Sequence, residues 1–441
     1  MKPLIQTDFY SGQITENESS DVSAIIESLR NAQRRLAQWP IDRIIEILNE
    51  FAHCLMNRKQ SIHHHFPGAG LAYIADWCRA TNLTRLLENT FSNRLILDGY
   101  IDSDFRKDRS YRALPRGLVA HWMAGNVPTL GFLSLVQGIL TKNANLIKVA
   151  SNSDLLLARL LQLLASVKKE ESQNGAELTR SIAVVRYDRS KKELGEYISK
   201  YADVRFFWGS DESVSTLRRL PAKLHCTDLV FSNKTSFLVI DNHALHNADM
   251  SLVTKRIAGD MSVFEQKACA SPHTLFLETD DRSELVKFAI CLKEALENLL
   301  PSMPKMMPSQ KEVSAILNLR TQYDMFHQAW YSDGVEFTLL SDQEFRLGPP
   351  IGNRTLYIRQ TVSLERIAAL ITPNVQSVGI LAEPEKFEKL TTLYAEMGIQ
   401  RFTNIGTMTQ FESPWDGYHI GHHLVRWASR PRLAALISRR S

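Results

Sequence analysis

A chain of 441 residues is too long for one hydrophobic core, because single domains rarely exceed about 250 to 300 residues, so at least two domains are expected. Hydrophobic residues make up 44% of the chain and charged residues 23%, and the formal net charge is +4. Lys and Arg are scattered, which argues against a dedicated nucleic-acid surface, although mild basicity can help an anionic cofactor to bind.

The cysteines indicate neither disulfides nor a metal centre. The chain has five of them: Cys54, Cys78, Cys226, Cys269 and Cys291. None forms a CxxC pair or has metal-ligand spacing, so we expect reduced thiols, as in a cytoplasmic protein. Residues 1–21 lack the apolar stretch of a secretory signal, and the apolar residues 117–140 are interrupted by polar side chains. We therefore expect no integral membrane association.

The first part of the chain has a helical pattern. Apolar residues such as Ile41, Ile44, Ile45 and Leu48 recur at three- and four-residue spacing between residues 21 and 60. This spacing is typical of helices that bury one face, and it predicts a helical N-terminal region over residues 1–110.

From about residue 117, short apolar runs alternate with helical patterns. The predicted strands are NLIKV at 145–149, SIAVVRY at 181–187 and VRFFW at 204–208. A helix is expected after each strand, and Ser151 or Ser153 is expected to cap the first of these helices. Strands that alternate with helices are typical of a doubly wound parallel sheet, which binds nucleotides at the carboxyl ends of its strands.

The second half repeats this alternation and predicts a second α/β domain. Its expected elements are a strand at 274–277, a helix at 283–299, a break rich in Pro and Met, strands at VEFTLL and TLYIR, a helix after Ser363 and the strand VGIL. Cys269 lies near the start of this domain, between Ala268 and Ala270. A free cysteine is usually an unreactive residue of the core. A nucleophilic thiol, in contrast, needs a lowered pKa, access for the substrate and small neighbouring side chains.

Four stretches carry a resemblance to a known family: PRGLVAHWMAGNVPTLGFLSLVQGILTKNANLIKVAS, FFWGSDESV, FEQKACASPH and SPWDGYHIGHHLVRWAS. In this order, over roughly residues 110 to 430, the chain resembles the acyl-CoA reductase branch of the aldehyde dehydrogenase superfamily, typified by the fatty acid reductase subunit of bacterial bioluminescence. The resemblance implies two Rossmann-like three-layer domains, with cofactor binding at 111–240 and catalysis at 241–412. A C-terminal segment, 413–441, would return to the first domain.

The resemblance also implies the catalytic residues. Cys269 would be the acylated nucleophile, and Asn126 in AGNVP would donate its side-chain N–H to the oxyanion together with the Cys269 N–H. Taken alone, AGNVP is ordinary turn chemistry. Asp416 and Gly417 match a C-terminal segment of the family, but the sequence assigns them no chemical role.

Four further residues are implied to bind the cofactor. Lys148 would reach the adenosine ribose, and Ser151 stands where many NAD-preferring members carry a glutamate. The missing acidic group leaves room for a 2′-phosphate, so NADPH is predicted. Gly209 and Ser210 would form a turn over the pyrophosphate at a helix N-terminus. A lysine at a strand end is usually just solvated, and a lone Gly-Ser is a weak motif. The cofactor-binding roles of Lys148, Gly209 and Ser210 are therefore supported by where these residues stand in the chain.

One departure from the hydrolytic members bears on the reaction. Val230 stands where they carry the glutamate that activates water, and Lys234 stands at their lysine. An acyl-enzyme without that base should persist until a hydride or another thiol arrives.

The sequence therefore predicts NADPH-dependent reduction of an acyl thioester to an aldehyde, through an acyl-cysteine and a thiohemiacetal. The donor would be an acyl-CoA or an acyl-protein thioester, and a fatty acyl chain is expected by analogy. The resemblance further implies a homo-oligomer and an acyltransferase or synthetase partner. Two alternatives stay open: a cysteine-dependent acyltransferase or thioesterase without nicotinamide, and a non-catalytic subunit of an acyl-processing complex.

Overall fold

A computed structural model describes residues 3–57, 59–66, 69–104, 108–123, 128–168 and 172–432. In chain order, the first half contains β1 (Leu4–Tyr10), β2 (Gln13–Asp21), α1 (Val22–Leu36), α2 (Ile41–Met56), α3 (Ser61–His65), α4 (Leu71–Trp77), α5 (Ala80–Phe91), a 3₁₀ helix (Arg94–Leu97), β3 (Ile101–Asp102), β4 (Arg109–Pro115), β5 (Leu118–Trp122), α6 (Pro128–Leu140), β6 (Ala144–Val149), α7 (Leu156–Ala165), α8 (Gly175–Thr179), β7 (Ile182–Arg186), α9 (Lys192–Tyr201), β8 (Val204–Trp208), α10 (Asp211–Arg218) and β9 (Thr227–Phe231).

The second half contains β10 (Thr235–Ile240), α11 (Asn242–Asn247), α12 (Met250–Ser262), a 3₁₀ helix (Val263–Gln266), β11 (Pro272–Glu278), α13 (Arg282–Leu299), α14 (Gln310–Phe326), β12 (Gln328–Tyr331), β13 (Thr338–Ser341), β14 (Thr355–Thr361), a 3₁₀ helix (Glu365–Leu370), β15 (Val375–Leu381), α15 (Pro384–Glu396), β16 (Arg401–Asn404), α16 (Ile420–His423) and β17 (Val425–Pro431).

Sheet 1 is the predicted doubly wound sheet. Its strand order is β2-β1-β7-β6-β5-β8-β9, and β5 to β9 are parallel. The order runs outward from β5 in both directions, so the connections reverse direction between β5 and β8. In such sheets the crevice beyond the carboxyl ends of the strands at this point is the usual nucleotide site.

A hairpin that the helical pattern did not reveal extends sheet 1. In addition to helices α1 to α5, the N-terminal region contains β1 and β2, and β1 pairs antiparallel with β7. The edge strand β2, QITENESSD, is strongly polar. Charged residues on an edge strand prevent pairing with other chains, and they also remove the apolar alternation by which a strand is recognised.

Sheet 2 has the order β12-β13-β14-β11-β10-β15-β16, and its strands are parallel except for the edge strand β12. A small third sheet has the order β17-β4-β3. Because β17 pairs with β4, the C-terminal part of the chain packs beside the beginning of the first domain. The helix expected after Ser363 is present, as a 3₁₀ helix over Glu365–Leu370.

The largest apolar core covers one face of sheet 1, and we call it the central cluster. It includes Phe51, Phe132 and Phe206 from the first half of the chain and Phe411 and Trp415 from the C-terminal part. Residues distant in sequence thus share one core, which holds the C-terminal segment against the first domain. Within the described residues, no helix combines the length and the apolar character that crossing a bilayer would require.

Candidate active site

The described cofactor-binding candidates lie at one edge of sheet 1. Lys148 is near the end of β6 with Ser151 just beyond it, and Gly209 and Ser210 directly follow β8. Strand β5 pairs with both β6 and β8, so these loops adjoin where the connections reverse direction. Asn126 follows β5 along the chain but lies outside the described residues.

The environment of Lys148 is rich in positive charge. Burial lowers the pKa of Lys148, and the neighbouring Arg189 and Arg186 lower it further, against the opposite effect of Asp188. The Lys148 ammonium lies 5.1 Å from the centre of the Tyr187 ring. A lysine close to other cations is well suited to bind a phosphate, because the negative charge of the phosphate would reduce the repulsion between the cations.

Arg186 shapes the loop that carries Ser151. Its Nη1 donates to the backbone carbonyls of Ser151 and Ser153, at 2.8 Å each, and its Nη2 donates to Asp8 Oδ2 at 2.7 Å. The N-terminal hairpin therefore helps to fix this loop. The expectation that Ser151 or Ser153 caps α7 is wrong, because Asp154 Oδ1 accepts from the Leu156 N–H at 3.2 Å instead.

Gly209 and Ser210 lead into α10 as predicted. Ser210 is the N-cap of this helix, and its Oγ accepts from the Ser213 N–H at 3.3 Å. Asp211 and Glu212 occupy the first turn and already complement the helix dipole. An anion bound here would lie beside two carboxylates, which disfavour it. The pyrophosphate role predicted for Gly209 and Ser210 therefore rests only on their position at the carboxyl end of β8.

Cys269 lies at the edge of sheet 2 that faces the first domain. It precedes β11, and its backbone oxygen accepts from Ser236 Oγ at 2.8 Å, at the start of the neighbouring β10. Cys269 packs against the central cluster on one face of sheet 1, and so does Met123, the residue that follows β5. The Met123 N–H donates to the Lys148 carbonyl at 3.0 Å. Cys269 and the predicted cofactor edge thus border the same apolar core.

The thiol is not acidified, contrary to the requirement stated from sequence. Burial raises the pKa of Cys269 to about 12, and the Asp416 carboxylate contributes in the same direction. A hydrogen bond from the Gln376 side chain opposes the shift, as do the N–H groups of Ala270 and Cys269 itself. The thiol is therefore neutral in this environment, and it needs a group that accepts its proton as it reacts.

Asp416, which the sequence left without a role, is a buried carboxylate close to Cys269. It lies in a turn with φ 47° and accepts a hydrogen bond from Gln376 Nε2. Burial raises the pKa of Asp416, whereas Gln376, Lys234 and Arg401 oppose the shift. The Asp-Gly pair after Trp415 is a sequence signal for a turn, but the burial of Asp416 and its place near Cys269 are visible only in the folded chain.

The loop before Cys269 has an uncommon backbone. Phe264, Glu265 and Gln266 have φ values of 54°, 52° and 60°, in the left-handed region that non-glycine residues rarely adopt. Buried contacts hold them there: Arg354 Nη2 donates to Glu265 Oε1 at 2.8 Å, and Gln266 exchanges hydrogen bonds with the Thr355 backbone at 2.6 and 2.8 Å. The start of β14 thus fixes the approach to the cysteine.

Val230 does not face Cys269. It belongs to the cluster on the other face of sheet 1, whereas its neighbours Leu229 and Phe231 belong to the central cluster. Residues 229–234, LVFSNK, contain no carboxylate, so the glutamate of the hydrolytic enzymes is missing even if the alignment shifts by one residue. The carboxylate that does lie near the sulfur comes instead from residue 416.

Helices of the N-terminal region and α12 hold the loop at residues 405–411, which precedes Asp416. Tyr73 Oη accepts from the Phe411 N–H at 2.6 Å, and Trp77 Nε1 donates to the Phe411 carbonyl at 3.1 Å. The buried carboxylate of Asp260 accepts from the N–H groups of Gly406 and Met408 at 2.6 and 3.0 Å.

Asp260 gives stability a pH dependence of definite sign. Burial raises the pKa of Asp260 to about 7. This pKa exceeds the value of about 3.9 for an unfolded aspartate, so the folded protein binds the extra proton in this range. The free energy of unfolding should therefore fall as the pH rises from about 4 to about 7. Asp260→Asn should remove that part of the slope in urea unfolding at several pH values, and the exposed Asp280→Asn should not. An unchanged slope in Asp260→Asn would contradict the assignment.

Comparison with known proteins agrees with this architecture. The family model described as acyl-CoA reductase (LuxC) matches residues 36–427. Among curated proteins, the long-chain acyl-protein thioester reductase of Photorhabdus luminescens is 26% identical over 369 residues, covering 80% of this chain and 72% of the relative. Long-chain acyl-protein thioester reductase 2 of Photobacterium leiognathi is also 26% identical, over 360 residues, with the same coverage of both chains.

Solved structures show the same fold at low identity. An oxidoreductase from Marinobacter aquaeolei is similar with a TM-score of 0.69 and 13% identity, covering 98% of this chain and 95% of that one. The NADP-dependent glyceraldehyde-3-phosphate dehydrogenase of Bacillus halodurans, solved with NADP, has a TM-score of 0.66 and 15% identity at the same coverage. The chain has the aldehyde dehydrogenase fold, and it belongs to the acyl-CoA reductase (LuxC) family.

Proposed function

We propose that the protein reduces a long-chain acyl thioester to an aldehyde with NADPH, through a covalent acyl group on Cys269. The observation that carries the proposal is the position of Cys269, which lies just before β11 of sheet 2 and packs against the central cluster that also borders the edge of sheet 1 holding Lys148. Family membership supports the reaction class, because the family is one of acyl reductases. The names of the relatives support a long-chain acyl group and a protein thioester as donor.

Each residue has a defined task in this reaction. Cys269 attacks the thioester carbonyl, the donor thiol leaves, and the acyl group is held on sulfur. The N–H groups of Cys269 and Ala270, which lie close to the sulfur, and the side chain of Asn126 would stabilise the oxyanion. When bound, NADPH supplies the hydride that reduces the acyl-cysteine. Cys269 then departs from the thiohemiacetal as the aldehyde is released.

The residues at the edge of sheet 1 fit NADPH. Lys148, Arg186 and Arg189 form a positive region around the loop of Ser151. A dianionic 2′-phosphate would be favoured there, because it adds negative charge beside Lys148 and Arg189, whereas cofactors without it do not. Ser151 is exposed and carries no charge that would repel the phosphate.

Arg189→Ala tests this preference. We expect binding of NADPH to weaken roughly 10- to 100-fold, because a charge-assisted contact to phosphate contributes about 1.5 to 3 kcal/mol. Binding of NADH should change little, so the ratio of the two dissociation constants, measured by fluorescence titration, is the diagnostic quantity. The exposed Lys192→Ala removes a nearby positive charge and should leave the ratio unchanged. An equal loss for both cofactors in Arg189→Ala would exclude a phosphate-specific role.

The reaction itself is tested by intact-protein mass spectrometry. The protein is mixed with acyl-CoAs of increasing chain length and with an acylated carrier protein, and the modified residue is located by peptide mapping before and after NADPH is added. We expect an acyl mass on Cys269 that disappears as NADPH is oxidised and aldehyde appears in equal amount. An acyl group that NADPH leaves in place, or one found elsewhere, would refute the proposal.

A cysteine-dependent thioesterase is the second candidate. The observation that favours it is Asp416, a carboxylate near the sulfur that could activate water against the acyl-cysteine. The product distinguishes the two functions, because hydrolysis gives the free acid at a rate independent of nicotinamide. A cytoplasmic location, a homo-oligomeric state and an acyltransferase or synthetase partner stay predictions.

A further inference from the structure

We propose that Asp416 accepts the proton of the Cys269 thiol during acylation, and that Gln376 is the positioning residue that holds thiol and carboxylate together. This inference rests on the proposed function, because it assigns these residues a role in acylation of Cys269. It goes beyond that function in naming a base from the C-terminal segment, in place of the carboxylate absent from residues 229–234.

The first argument is the arrangement of the three side chains. Gln376 lies at the beginning of β15, beside the start of β10 whose Ser236 binds the Cys269 carbonyl. The side-chain amide of Gln376 donates to Asp416 Oδ1, and its effect on the pKa of Cys269 puts the same amide near the thiol. One buried amide group therefore lies close to both the nucleophile and the carboxylate, an arrangement suited to direct proton transfer or to transfer through one water.

The second argument is an unsatisfied polar atom in the same cluster. Gln376 is only 1% exposed, and among the described residues its Oε1 has no hydrogen-bond partner. Buried amide oxygens normally have a donor, since leaving one unpaired costs free energy. The free acceptor lies next to the site of reaction, where a water or a donor group of the substrate would satisfy it.

The third argument is the balance of charge. Cys269 is half-buried and Asp416 is buried, and the carboxylate disfavours a thiolate beside it. If Asp416 takes up the proton that Cys269 loses, the pair carries a single negative charge throughout acylation, so no second charge is buried. The cations near the carboxylate are Lys234 and Arg401, and Arg401 also pairs with Glu412 at 2.7 Å.

The turn that carries Asp416 is held rigidly. The Trp415 ring lies 4.6 Å from the Phe411 ring and 4.9 Å from the Arg401 guanidinium, measured to ring centroids. Asp416 itself has φ 47°, which Asn and Asp tolerate better than other side chains. The carboxylate is thus fixed in position before substrate binds, as a general base requires.

The proton and the bonds balance as follows. The S–H proton of Cys269 passes to the Asp416 carboxylate while the sulfur forms a bond to the acyl carbon, and the C–S bond of the donor thioester breaks. Asp416 then returns the proton to the departing thiolate, which leaves as a thiol. After reduction, Cys269 leaves the thiohemiacetal as a thiolate, and a solvent proton delivered through Asp416 restores the starting state.

The test separates thiol ionisation from acylation, and it uses Asp416→Asn, which keeps the shape of the side chain. Acylation of Cys269 by an acyl-CoA is followed by rapid-quench mass spectrometry without NADPH, over a range of pH. Ionisation of the thiol is followed by the ultraviolet absorbance of the thiolate, as a difference from the matching Cys269→Ala protein.

We expect the two measurements to move in opposite directions. Removing the negative charge should make the Cys269 thiolate form at lower pH, whereas acylation near neutral pH should slow by about 10²-fold, since a positioned base contributes about 10²–10⁴-fold. In Asp416→Asn, the part of the pH dependence of the acylation rate that reflects ionisation of Asp416 should vanish. Asp416→Glu should restore part of the rate. Gln376→Met, which removes the amide but not the base, should slow acylation less.

Three outcomes decide the matter. If wild-type protein acylates Cys269 and Asp416→Asn acylates at the same rate with the same pH profile, the inference is overturned while the proposed function stands. Parallel losses of acylation and of thiolate formation in both Asp416 variants would mark a structural role and also overturn it. If wild-type protein never acylates Cys269, the proposed function itself fails. Gln376→Met provides an independent reading if Asp416→Asn does not fold.

Discussion

Replacing Cys269 by alanine is expected to lower aldehyde formation by roughly 10⁴- to 10⁶-fold, because the variant has no atom on which the acyl group can be held. The acyl mass should disappear with it. The fold should persist, since Cys269 is flanked by buried alanines and one more alanine leaves the loop contacts of Glu265 and Gln266 intact. The measurement is NADPH oxidation together with intact mass after incubation with acyl-CoA.

A second cysteine provides the control for this experiment. Cys291 is also half-buried and lies on α13, which packs against α12, β12 and β14. Cys291→Ala should retain wild-type acylation and turnover. Turnover that survives in Cys269→Ala, or that is lost equally in Cys291→Ala, would mean that the nucleophile has been misassigned.

Arg354→Met is expected to lower the free energy of unfolding by about 3 to 5 kcal/mol, because it leaves the Glu265 carboxylate buried without its cation. The pair is almost inaccessible, with side-chain exposures of 2% for Arg354 and 7% for Glu265, and two hydrogen bonds of 3.0 and 2.8 Å join them. Urea unfolding gives the measurement. Activity should fall further than stability alone explains, since Glu265 belongs to the left-handed segment that leads to Cys269.

An exposed ion pair provides the comparison for Arg354→Met. Lys389 and Glu365 are 2.8 Å apart, but the lysine side chain is 66% exposed. Lys389→Met should therefore cost no more than about 1 kcal/mol. Equal losses in the two variants would show that the Arg354–Glu265 pair does not restrain the loop. A large loss of stability without further loss of activity would show that the pair stabilises the fold but is not needed to position the segment before Cys269.

The sequence predicted the alternating part of the fold well, because buried parallel strands leave clear apolar runs. The predicted strand VRFFW coincides with β8, and the helix expected after SIAVVRY corresponds to α9. The hairpin of β1 and β2 was missed because its edge strand is charged and β1 pairs with the distant β7. Helix α14 was missed for another reason, since it follows directly on the Pro- and Met-rich break. Its start carries a local signal, the capping box of Ser309 and Glu312, that the pattern of apolar residues does not reveal.

The candidate site, like the fold, was predicted from sequence only in part. Cys269, Lys148, Gly209 and Ser210 were assigned from their positions beside predicted strands. The structure places Lys148, Gly209 and Ser210 at the carboxyl edge of sheet 1 and Cys269 just before β11 of sheet 2. The carboxylate of Asp416 could not be placed from sequence, because its neighbours Gln376 and Cys269 lie on elements that only the folded chain brings together. The neutral state of the thiol was equally hidden, since it depends on burial.

The pairing of β17 with β4 has a consequence for synthesis of the protein. This pairing, and contacts such as Trp77 with Phe411, which lie 334 residues apart in sequence, cannot form until residues 411–431 have left the ribosome. Long-range pairing of this kind slows folding. Most strands of both sheets can therefore assemble around a cysteine that still lacks its carboxylate, and a chain that ends before Asp416 would be folded in large part yet slow to take an acyl group. If Asp416 acts as proposed, the Cys269 thiol becomes competent only after residue 416 has been made.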